Sequence, residues 1–295
     1  MDPAPFRCGA IALIGRPNVG KSTLLNALLG QKLSITSRKP QTTRRSLRGV
    51  LSTRTAQFIL VDTPGFQIRH RGALNRAMNR SVRSELEAVD VVALVAEAGR
   101  FDADDRAVLK LVPPGTPLFL IVNKIDALEP SRLPAFLKQA AGEAEFDEIV
   151  PVSARRRKGL AELMRTLERY LPEQPAIHSA DEITDRNERF LAADFIREKL
   201  FRYLGQELPY GADVEIEKFE ERPGLRRIYA SIVVEKEGHK AIVIGTRGAK
   251  LKEIATAARL DMEKLFGGKV YLETWVRVRR GWTEDEGSVR RFGHG

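Results

Sequence analysis

The stretch Gly15-Arg-Pro-Asn-Val-Gly20-Lys21-Ser22 decides the fold of the first part of the chain. It fits the pattern G-x-x-x-x-G-K-[ST], follows the apolar run CGAIALI and opens the helical pattern KSTLLNALLG. In that context, glycines let backbone amides curl around phosphate oxygens at the positive end of a helix dipole. Lys21 is therefore expected to reach the β- and γ-phosphates of a nucleotide, and the Ser22 hydroxyl to bind magnesium.

Short apolar runs alternate with helical patterns from residue 8 to about residue 171. The strand candidates are CGAIALIG, the stretch from Arg45 to Leu51, AQFILVD, DVVALVA, PLFLIVNK and EIVPVS. Such alternation predicts an α/β fold, with a mostly parallel sheet and helices on both faces.

Two further motifs follow the phosphate loop in order. Asp62-Thr-Pro-Gly65 ends an apolar strand, where the carboxylate can hold the water shell of magnesium and the glycine amide can face the γ-phosphate. Asn123-Lys124-Ile125-Asp126 ends another apolar strand, LFLIV. A buried Asp126 can accept from guanine N1–H and the 2-amino group, whereas adenine would leave it unpaired, so the sequence predicts GTP rather than ATP. Ser153-Ala154 would add a backbone amide for guanine O6.

These motifs in this order resemble the translation-factor-related GTPases, and Pro40-Gln-Thr42-Thr43-Arg is similar to the first switch loop of the Era-like members. The resemblance implies a P-loop G domain with a six-stranded sheet, Mg²⁺ as cofactor and GTP or GDP as ligand. One threonine would bind magnesium when the γ-phosphate is present; Thr43 is favoured and Thr42 stays open. We expect Lys21, Thr43 and Gly65 to act in hydrolysis and Ser22, Thr43 and Asp62 to hold the metal. The expected nucleotide-binding residues are Gly15, Arg16, Pro17, Asn18, Val19, Gly20, Lys21, Ser22, Thr23, Asp62, Thr63, Pro64, Gly65, Asn123, Lys124, Asp126, Ser153, Ala154 and Arg155.

One position departs from the Ras-like pattern. Phe66 stands where those proteins place a water-orienting glutamine, and Gln67 is out of register. Slow intrinsic hydrolysis is expected, with help from potassium, from backbone groups or from a partner. Asn18 matches the asparagine with which potassium-activated relatives bind that ion, so K⁺ is a candidate second cofactor.

The stretch LPEQPAIHSADEITD interrupts the alternation with prolines and acidic residues and reads as a linker. We therefore divide the chain into a G domain (residues 1–172), a linker (173–183) and a smaller α+β domain (184–295). The second domain has the order helix, two strands, helical region, strand.

Within it, Gly245-Thr-Arg-Gly248 lies between apolar residues and a helix with apolar residues at 251, 254, 258, 262 and 265. A G-x-x-G turn in this setting resembles the RNA clamp of a type II KH domain, which grips about four nucleotides. Ile244 and Ile254 would form a floor for unstacked bases, with basic residues on the phosphates. The expected RNA-binding residues are Lys240, Ile242, Ile244, Gly245, Thr246, Arg247, Gly248, Lys250, Lys252 and Ile254. The run Arg155–Lys158 beside the guanine segment is interpreted as a solvated loop that can touch RNA.

Composition agrees with a polyanionic partner. The chain of 295 residues has a formal net charge of +10 and one cysteine, which excludes an intrachain disulfide. No apolar run approaches the roughly 20 residues that span a bilayer, and the first residues lack a signal-peptide layout. A soluble, cytoplasmic protein is expected.

Nearly the whole chain resembles the Era family of bacterial GTPases, through GRPNVGKSTLLN, KPQTTR, DTPG, NKID, ITDR, REKL, ELPY and VIGTRGAKLK. The family implies a monomer that binds near the 3′ end of 16S ribosomal RNA and the precursor of the small (30S) subunit, in ribosome biogenesis, with peripheral contact to the inner face of the cell membrane in some members. Two alternatives stay open. One is a KH assembly factor for which GTP is mainly a structural ligand; the other is a tRNA-modification GTPase, against which the KH motif speaks.

Overall fold

The computed structural model describes residues 5–37, 39–66, 72–205 and 208–293. These residues form two compact units, which are described separately. The first comprises the described residues within Met1–Ser34, Thr43–Arg71 and Met78–Asp185, and the second those within Ile35–Thr42, Gly72–Ala77 and Arg186–Gly295.

A six-stranded sheet organises the first unit. Its strands are β1 (Arg7–Ile14), β2 (Leu47–Ser52), β3 (Ala56–Asp62), β4 (Val91–Glu97), β5 (Leu118–Asn123) and β6 (Glu148–Pro151). They lie in the order β2-β3-β1-β4-β5-β6, with only β2 antiparallel to its neighbour. The predicted mostly parallel α/β sheet is confirmed.

Four helices lie between these strands in the described part of the chain: α1 (Lys21–Leu29), α2 (Ala73–Leu86), α3 (Ala103–Leu109) and α4 (Leu133–Ala141). Helix α5 (Leu160–Glu168) follows β6, and α2 belongs to this unit from Met78 onward. Ala12 and Ile14 belong to a core that also holds side chains of α2, α3 and α4. Ile11 and Leu13 point to the opposite face and are also fully buried, so the middle of the sheet is covered on both faces. Burial on both faces explains why these strands are continuous apolar runs rather than alternating ones. The parallel strands β1, β3, β4, β5 and β6 all end at one edge, where open α/β sheets bind ligands.

The second unit is a smaller α+β domain. Its elements are α6 (Glu188–Tyr203), β7 (Ala212–Arg222), β8 (Leu225–Val234), α7 (Glu237–Ile244), α8 (Ala249–Phe266), β9 (Lys269–Val278) and α9 (Glu286–Arg291). The sheet order is β7-β8-β9, antiparallel between β7 and β8 and parallel between β8 and β9. Helix α6 packs against α8 and β7, and α8 packs against β9. The region predicted as helical is two helices, with the Gly245–Gly248 turn between them.

Candidate functional site

The loop between β1 and α1 wraps around its own lysine. Gly20 has a φ of 102°, and a Cβ there would lie 2.4 Å from Asn123 Nδ2, so the position requires glycine. Lys21 is buried, and its Nζ donates to the carbonyls of Gly15 at 2.9 Å and Arg16 at 3.2 Å. Burial lowers the pKa of Lys21 to about 8. A phosphate beside this ammonium group would supply the opposite charge that raises the pKa again.

Three hydroxyls gather around Asp62 at the end of β3. Asp62 Oδ2 accepts hydrogen bonds from Ser22 Oγ and Ser34 Oγ, both at 2.6 Å. Thr43 Oγ1 lies 2.9 Å from Ser22 Oγ and 3.5 Å from Asp62 Oδ2. Burial raises the pKa of Asp62, while the hydrogen bonds from Ser22 and Ser34 oppose that rise.

The second carboxylate oxygen of Asp62 bears on the metal. Asp62 Oδ1 is buried and has no hydrogen-bond partner among the described residues. An unsatisfied carboxylate oxygen beside hydroxyl oxygens suits Mg²⁺, which prefers hard oxygen ligands and keeps positions for water and phosphate. The structure thus brings together the three predicted metal residues, Ser22, Thr43 and Asp62. Their role as metal ligands stays a prediction.

The two candidate switch threonines occupy different surroundings. Thr42 Oγ1 donates to the Lys39 carbonyl at 2.8 Å and lies 2.6 Å from Ser37 Oγ, so this hydroxyl is used inside its own loop. Only Thr43 of the pair reaches Ser22. The geometry therefore favours Thr43 as the metal residue.

Packing fixes the segment that follows β3. Thr63 is buried and its Oγ1 donates to the Leu13 carbonyl at 2.8 Å, so its side chain is used within the protein and its place among the nucleotide-binding residues stays a prediction. A Cβ on Gly65 would lie 2.9 Å from Pro17 Cα, so the glycine allows this segment to touch the phosphate loop. Pro64 is buried beside it.

Phe66 packs against the core between the sheet and helices α2 to α4. A ring held by apolar contacts cannot orient water by hydrogen bonding, as the sequence indicated. Gln67 lies outside the described residues.

Asn123 ties two loops of the predicted nucleotide site together. It is buried at the end of β5, and its Nδ2 donates to the Val19 carbonyl at 2.9 Å. Its Oδ1 accepts from the Ala154 amide at 3.0 Å. The Ala154 amide, expected to donate to guanine O6, is thus directed at Asn123 in this structure. Asn123 acts here as a positioning residue that joins the phosphate loop to the Ser153–Ala154 segment.

Asp126 is exposed, which corrects the expectation of a buried carboxylate. Its Oδ1 accepts a short hydrogen bond of 2.5 Å from the Ser153 hydroxyl, and Ser153 itself is fully buried. The Ser153 hydroxyl therefore orients the carboxylate. The desolvation that makes a mismatched base costly has to come from the bound base itself.

Arg16 and Lys124 use their side chains within the protein. Arg16 is buried, and its Nε lies 3.1 and 3.2 Å from the two carboxylate oxygens of Asp105. Lys124 Nζ lies 3.2 Å from Glu97 Oε1, and Arg16 Nη2 lies 3.5 Å from Glu97 Oε2. The Arg16 side chain is thus held against α3 by an acidic partner, and the place of Arg16 among the nucleotide-binding residues stays a prediction that rests on its backbone. Among the other predicted residues, Asn18, Thr23 and Arg155 are exposed and Val19 is buried.

Sequence reasoning missed Ser34 and the residue that places it. Asn26 Oδ1 accepts from the amides of Leu33 and Ser34 at 2.8 Å, and its Nδ2 donates to the Ser34 carbonyl at 2.7 Å. Asn26 thereby presents the Ser34 hydroxyl to Asp62. Ser34 belongs to no motif with a fixed spacing. Asn26 is the last residue of GRPNVGKSTLLN, but its contact with Ser34 becomes visible only in the fold.

The G-x-x-G turn lies between α7 and α8. Gly245 has a φ of 70°, and a Cβ there would lie 2.6 Å from Lys250 Cβ. Arg247 adopts a φ of 51°, and both Thr246 and Arg247 are exposed. The turn therefore offers its backbone and one cation to solvent, as a clamp on a sugar-phosphate chain requires.

The apolar residues beside the turn divide into two groups. Ile242 is 54% exposed and Ile244 is partly exposed, so both can meet a base. Ile254 is fully buried in the core of the unit, which corrects its assignment to the base floor. Lys250 is paired with Glu253 at 2.7 Å, whereas Lys252 is exposed.

Comparison with known proteins gives the same two parts. A family model described as a 50S ribosome-binding GTPase matches residues 10–124, and a KH domain model matches residues 207–283. The GTPase Era of Chromobacterium violaceum is 53% identical over 294 residues, covering 99% of both chains. That of Nitrosomonas eutropha is 51% identical over 295 residues, covering 100% of both. A solved structure of Era in complex with MgGDPNP and nucleotides 1506–1542 of 16S ribosomal RNA has a TM-score of 0.95, with 36% identity, and covers 98% of this chain and 99% of its own.

The fold and these motifs define a P-loop GTPase followed by a KH domain. Identity above 50% to Era GTPases along the full length places the chain more specifically than this class does. The chain belongs to the Era family of GTPases.

Proposed function

We propose that this GTPase couples GTP hydrolysis to binding of 16S ribosomal RNA near its 3′ end, and that it acts in small-subunit biogenesis. The observation that carries the proposal is the presence in one chain of a converged Lys21–Asp62–Thr43 cluster and an exposed G-x-x-G turn. The Era complex with MgGDPNP and 16S rRNA nucleotides, whose fold this chain shares, supports it.

On this proposal, Lys21 binds the β- and γ-phosphates and the amides of the phosphate loop surround them. Asp126, oriented by Ser153, accepts from guanine N1–H and the 2-amino group. Ser22, Thr43 and Asp62 would hold Mg²⁺, which when bound neutralises charge on the β- and γ-phosphate oxygens. Thr43 links its loop to the presence of the γ-phosphate, so hydrolysis would release that loop.

The attacking water needs a group that orients or activates it. Phe66 provides no hydrogen bond, so positive charge or orientation has to come from elsewhere. We propose K⁺ near Asn18, which is exposed in the phosphate loop, as the source. Backbone groups or a partner are the alternatives, and equal turnover in potassium and sodium salts would remove the potassium proposal.

RNA would bind along the turn and its neighbours in the second unit. Gly245 and Gly248 allow a close approach of sugar-phosphate, Arg247 and Lys252 supply charge, and Ile242 and Ile244 meet unstacked bases. We place the functional domains at residues 1–172 and 184–295, with a linker at 173–183.

Location and assembly follow the family. We propose a cytoplasmic monomer that contacts the small-subunit precursor and, peripherally, the inner face of the cell membrane. Within the described ranges, no helix has both the length and the apolar composition to cross a membrane.

The experiment has two arms. Purified protein and Lys21→Ala are assayed for GTP turnover. Both are titrated with an RNA oligonucleotide of the 16S 3′ end and with the same nucleotides in scrambled order, each in the presence of a non-hydrolysable GTP analogue or of GDP. The proposal expects turnover that is lost in Lys21→Ala and a preference for the native RNA. Equal affinity for native and scrambled RNA would reduce the second site to a general polyanion contact. Turnover together with RNA affinity that ignores the nucleotide state would instead favour the alternative, an assembly factor for which GTP is structural.

A further inference from the structure

Four consecutive cations, Arg155–Lys158, follow the guanine segment; we name them the basic loop. All four are exposed. Ser153 and Lys158 close the loop with reciprocal backbone hydrogen bonds of 3.0 and 3.1 Å, and the Arg156 amide donates to Ser153 Oγ at 3.0 Å. Ser153, which orients Asp126, therefore also joins the two ends of the basic loop.

The backbone conformation of the basic loop is strained for its sequence. Arg157 has a φ of 55°, in the left-handed region that glycine and asparagine enter more easily than arginine. The chain thus places a long cationic side chain where a small residue would relieve strain.

The charge of the basic loop is not neutralised within the described part of the chain. None of its four side chains forms an ion pair with a described residue. Other exposed arginines of the same unit do: Arg106 pairs with Glu143 at 2.7 Å and Arg169 pairs with Glu148 at 3.0 Å. Four adjacent uncompensated cations repel each other, and a polyanion would relieve that repulsion while releasing its counterions.

We propose that the basic loop binds phosphates of ribosomal RNA in the small subunit, as a contact separate from the KH clamp. The inference rests on the proposed function, because it requires a small-subunit partner. Three of the four cations are arginines, whose planar forks match phosphate oxygens. A membrane surface fits less well, since stable binding there combines cations with inserted apolar side chains, whereas cations alone contribute only about 1 kcal/mol each. The large exposed apolar residues of the described chain, Ile177, Tyr203, Ile242, Leu260 and Tyr271, all lie outside the loop.

The test compares two variants of the full-length protein with equal charge loss. The loop variant carries Arg156→Gln, Arg157→Gln and Lys158→Gln, which leaves Arg155 beside the guanine segment unchanged. The control carries Lys110→Gln, Arg132→Gln and Lys138→Gln, three exposed cations elsewhere in the first unit without ion pairs to described residues. Each protein is titrated with purified small ribosomal subunits, with the 16S 3′ oligonucleotide, with phosphatidylglycerol vesicles and with GDP, at several salt concentrations.

We expect the loop variant to lose at least about tenfold affinity for small subunits and to show a shallower salt dependence. The slope of the logarithm of the binding constant against the logarithm of the salt concentration should become shallower by up to about 2, because three phosphate contacts at roughly 0.7 each are lost. Its affinities for the oligonucleotide and GDP should stay within about twofold, and the control variant should match the wild type throughout.

Other results overturn the inference. Wild-type subunit affinity in the loop variant, or equal losses in both variants, would mean a solvated loop that adds only to net charge. Loss of binding to phosphatidylglycerol vesicles with unchanged subunit affinity would make the partner a membrane. A wild-type protein that binds neither subunits nor oligonucleotide would overturn the proposed function itself, which the other outcomes leave standing.

Discussion

Ser22 Oγ and Thr43 Oγ1 lie 2.9 Å apart although the two residues are 21 positions apart in the chain. Ser22 belongs to the first turn of α1, which is built into the phosphate loop. Thr43 lies on the segment that precedes β2 and has no helix or strand of its own. A shared ligand between these hydroxyls would therefore link the state of the phosphates to a segment that no helix or strand holds in place.

Replacing Thr43 by valine should slow GTP hydrolysis by about 10- to 100-fold, the usual cost of disturbing a metal's protein environment. GDP affinity should change little, because Lys21 and Asp126 remain. Thr42→Val is the matched control, since its hydroxyl bonds to Lys39 and Ser37 instead. Single-turnover hydrolysis of both variants checks the assignment, and a larger defect in Thr42→Val would reverse it.

Replacing Asp126 by asparagine should exchange base specificity. The amide nitrogen can donate to the 2-oxygen of xanthine but leaves the guanine 2-amino group without an acceptor. We expect GDP affinity to fall by roughly 10- to 100-fold, or about 1–3 kcal/mol, and XDP affinity to rise. Competition binding measures both ligands together. Retained guanine selectivity would show that another residue reads the base.

The lowered pKa of Lys21 predicts how stability depends on pH in the nucleotide-free protein. Between its folded pKa of about 8 and the ordinary value of 10.5, the unfolded chain binds this proton more tightly than the folded one. The free energy of unfolding of the wild type should therefore rise with pH across this window, relative to Lys21→Met. At roughly 1.4 kcal/mol per pKa unit, the difference should grow by about 2 kcal/mol between pH 7.5 and 9.5. Urea unfolding of both proteins at pH 7.5, 8.5 and 9.5 measures it, and parallel curves would mean that Lys21 titrates normally.

Substitution at Gly248 separates charge from backbone strain in the KH turn. The residue has a φ of 80°, and a Cβ there meets no other atom within 4 Å among the described residues. Aspartate and asparagine should therefore bear similar strain and both fold, but only aspartate brings negative charge to the phosphate path. We expect Gly248→Asp to weaken RNA binding about tenfold more than Gly248→Asn. Equal affinities of the two variants for the 16S oligonucleotide would argue against phosphate at this position.

Much of the fold could be predicted because its signals are local. Gly15–Ser22, Asp62–Gly65 and Asn123–Asp126 each stand at the end of an apolar strand, so their order places them at one sheet edge. The direction of individual side chains is a tertiary property. Arg16 lies inside a nucleotide motif yet turns to Asp105, on a helix that the motif does not specify.

Burial and long-range side-chain contacts could not be predicted from the sequence. The helical spacing of Ile254 with Ala258 and Met262 marks the face of α8 that packs into the core, which explains why Ile254 does not belong to the base floor. Ser34 carried no signal, because a serine in a loop acquires its role only when Asn26 turns it toward Asp62. Asp126 is exposed in the protein alone, because the group that would shield it from water is the bound base.

We propose that the nucleotide switch and the RNA clamp of this chain are coupled. The most direct measurement is the affinity for the 16S 3′ oligonucleotide with a non-hydrolysable GTP analogue, with GDP and without nucleotide, each at two salt concentrations. We predict tighter, sequence-selective binding with the GTP analogue. Equal and strongly salt-dependent binding in all three states would contradict the coupling and leave only a general contact between a basic protein and RNA.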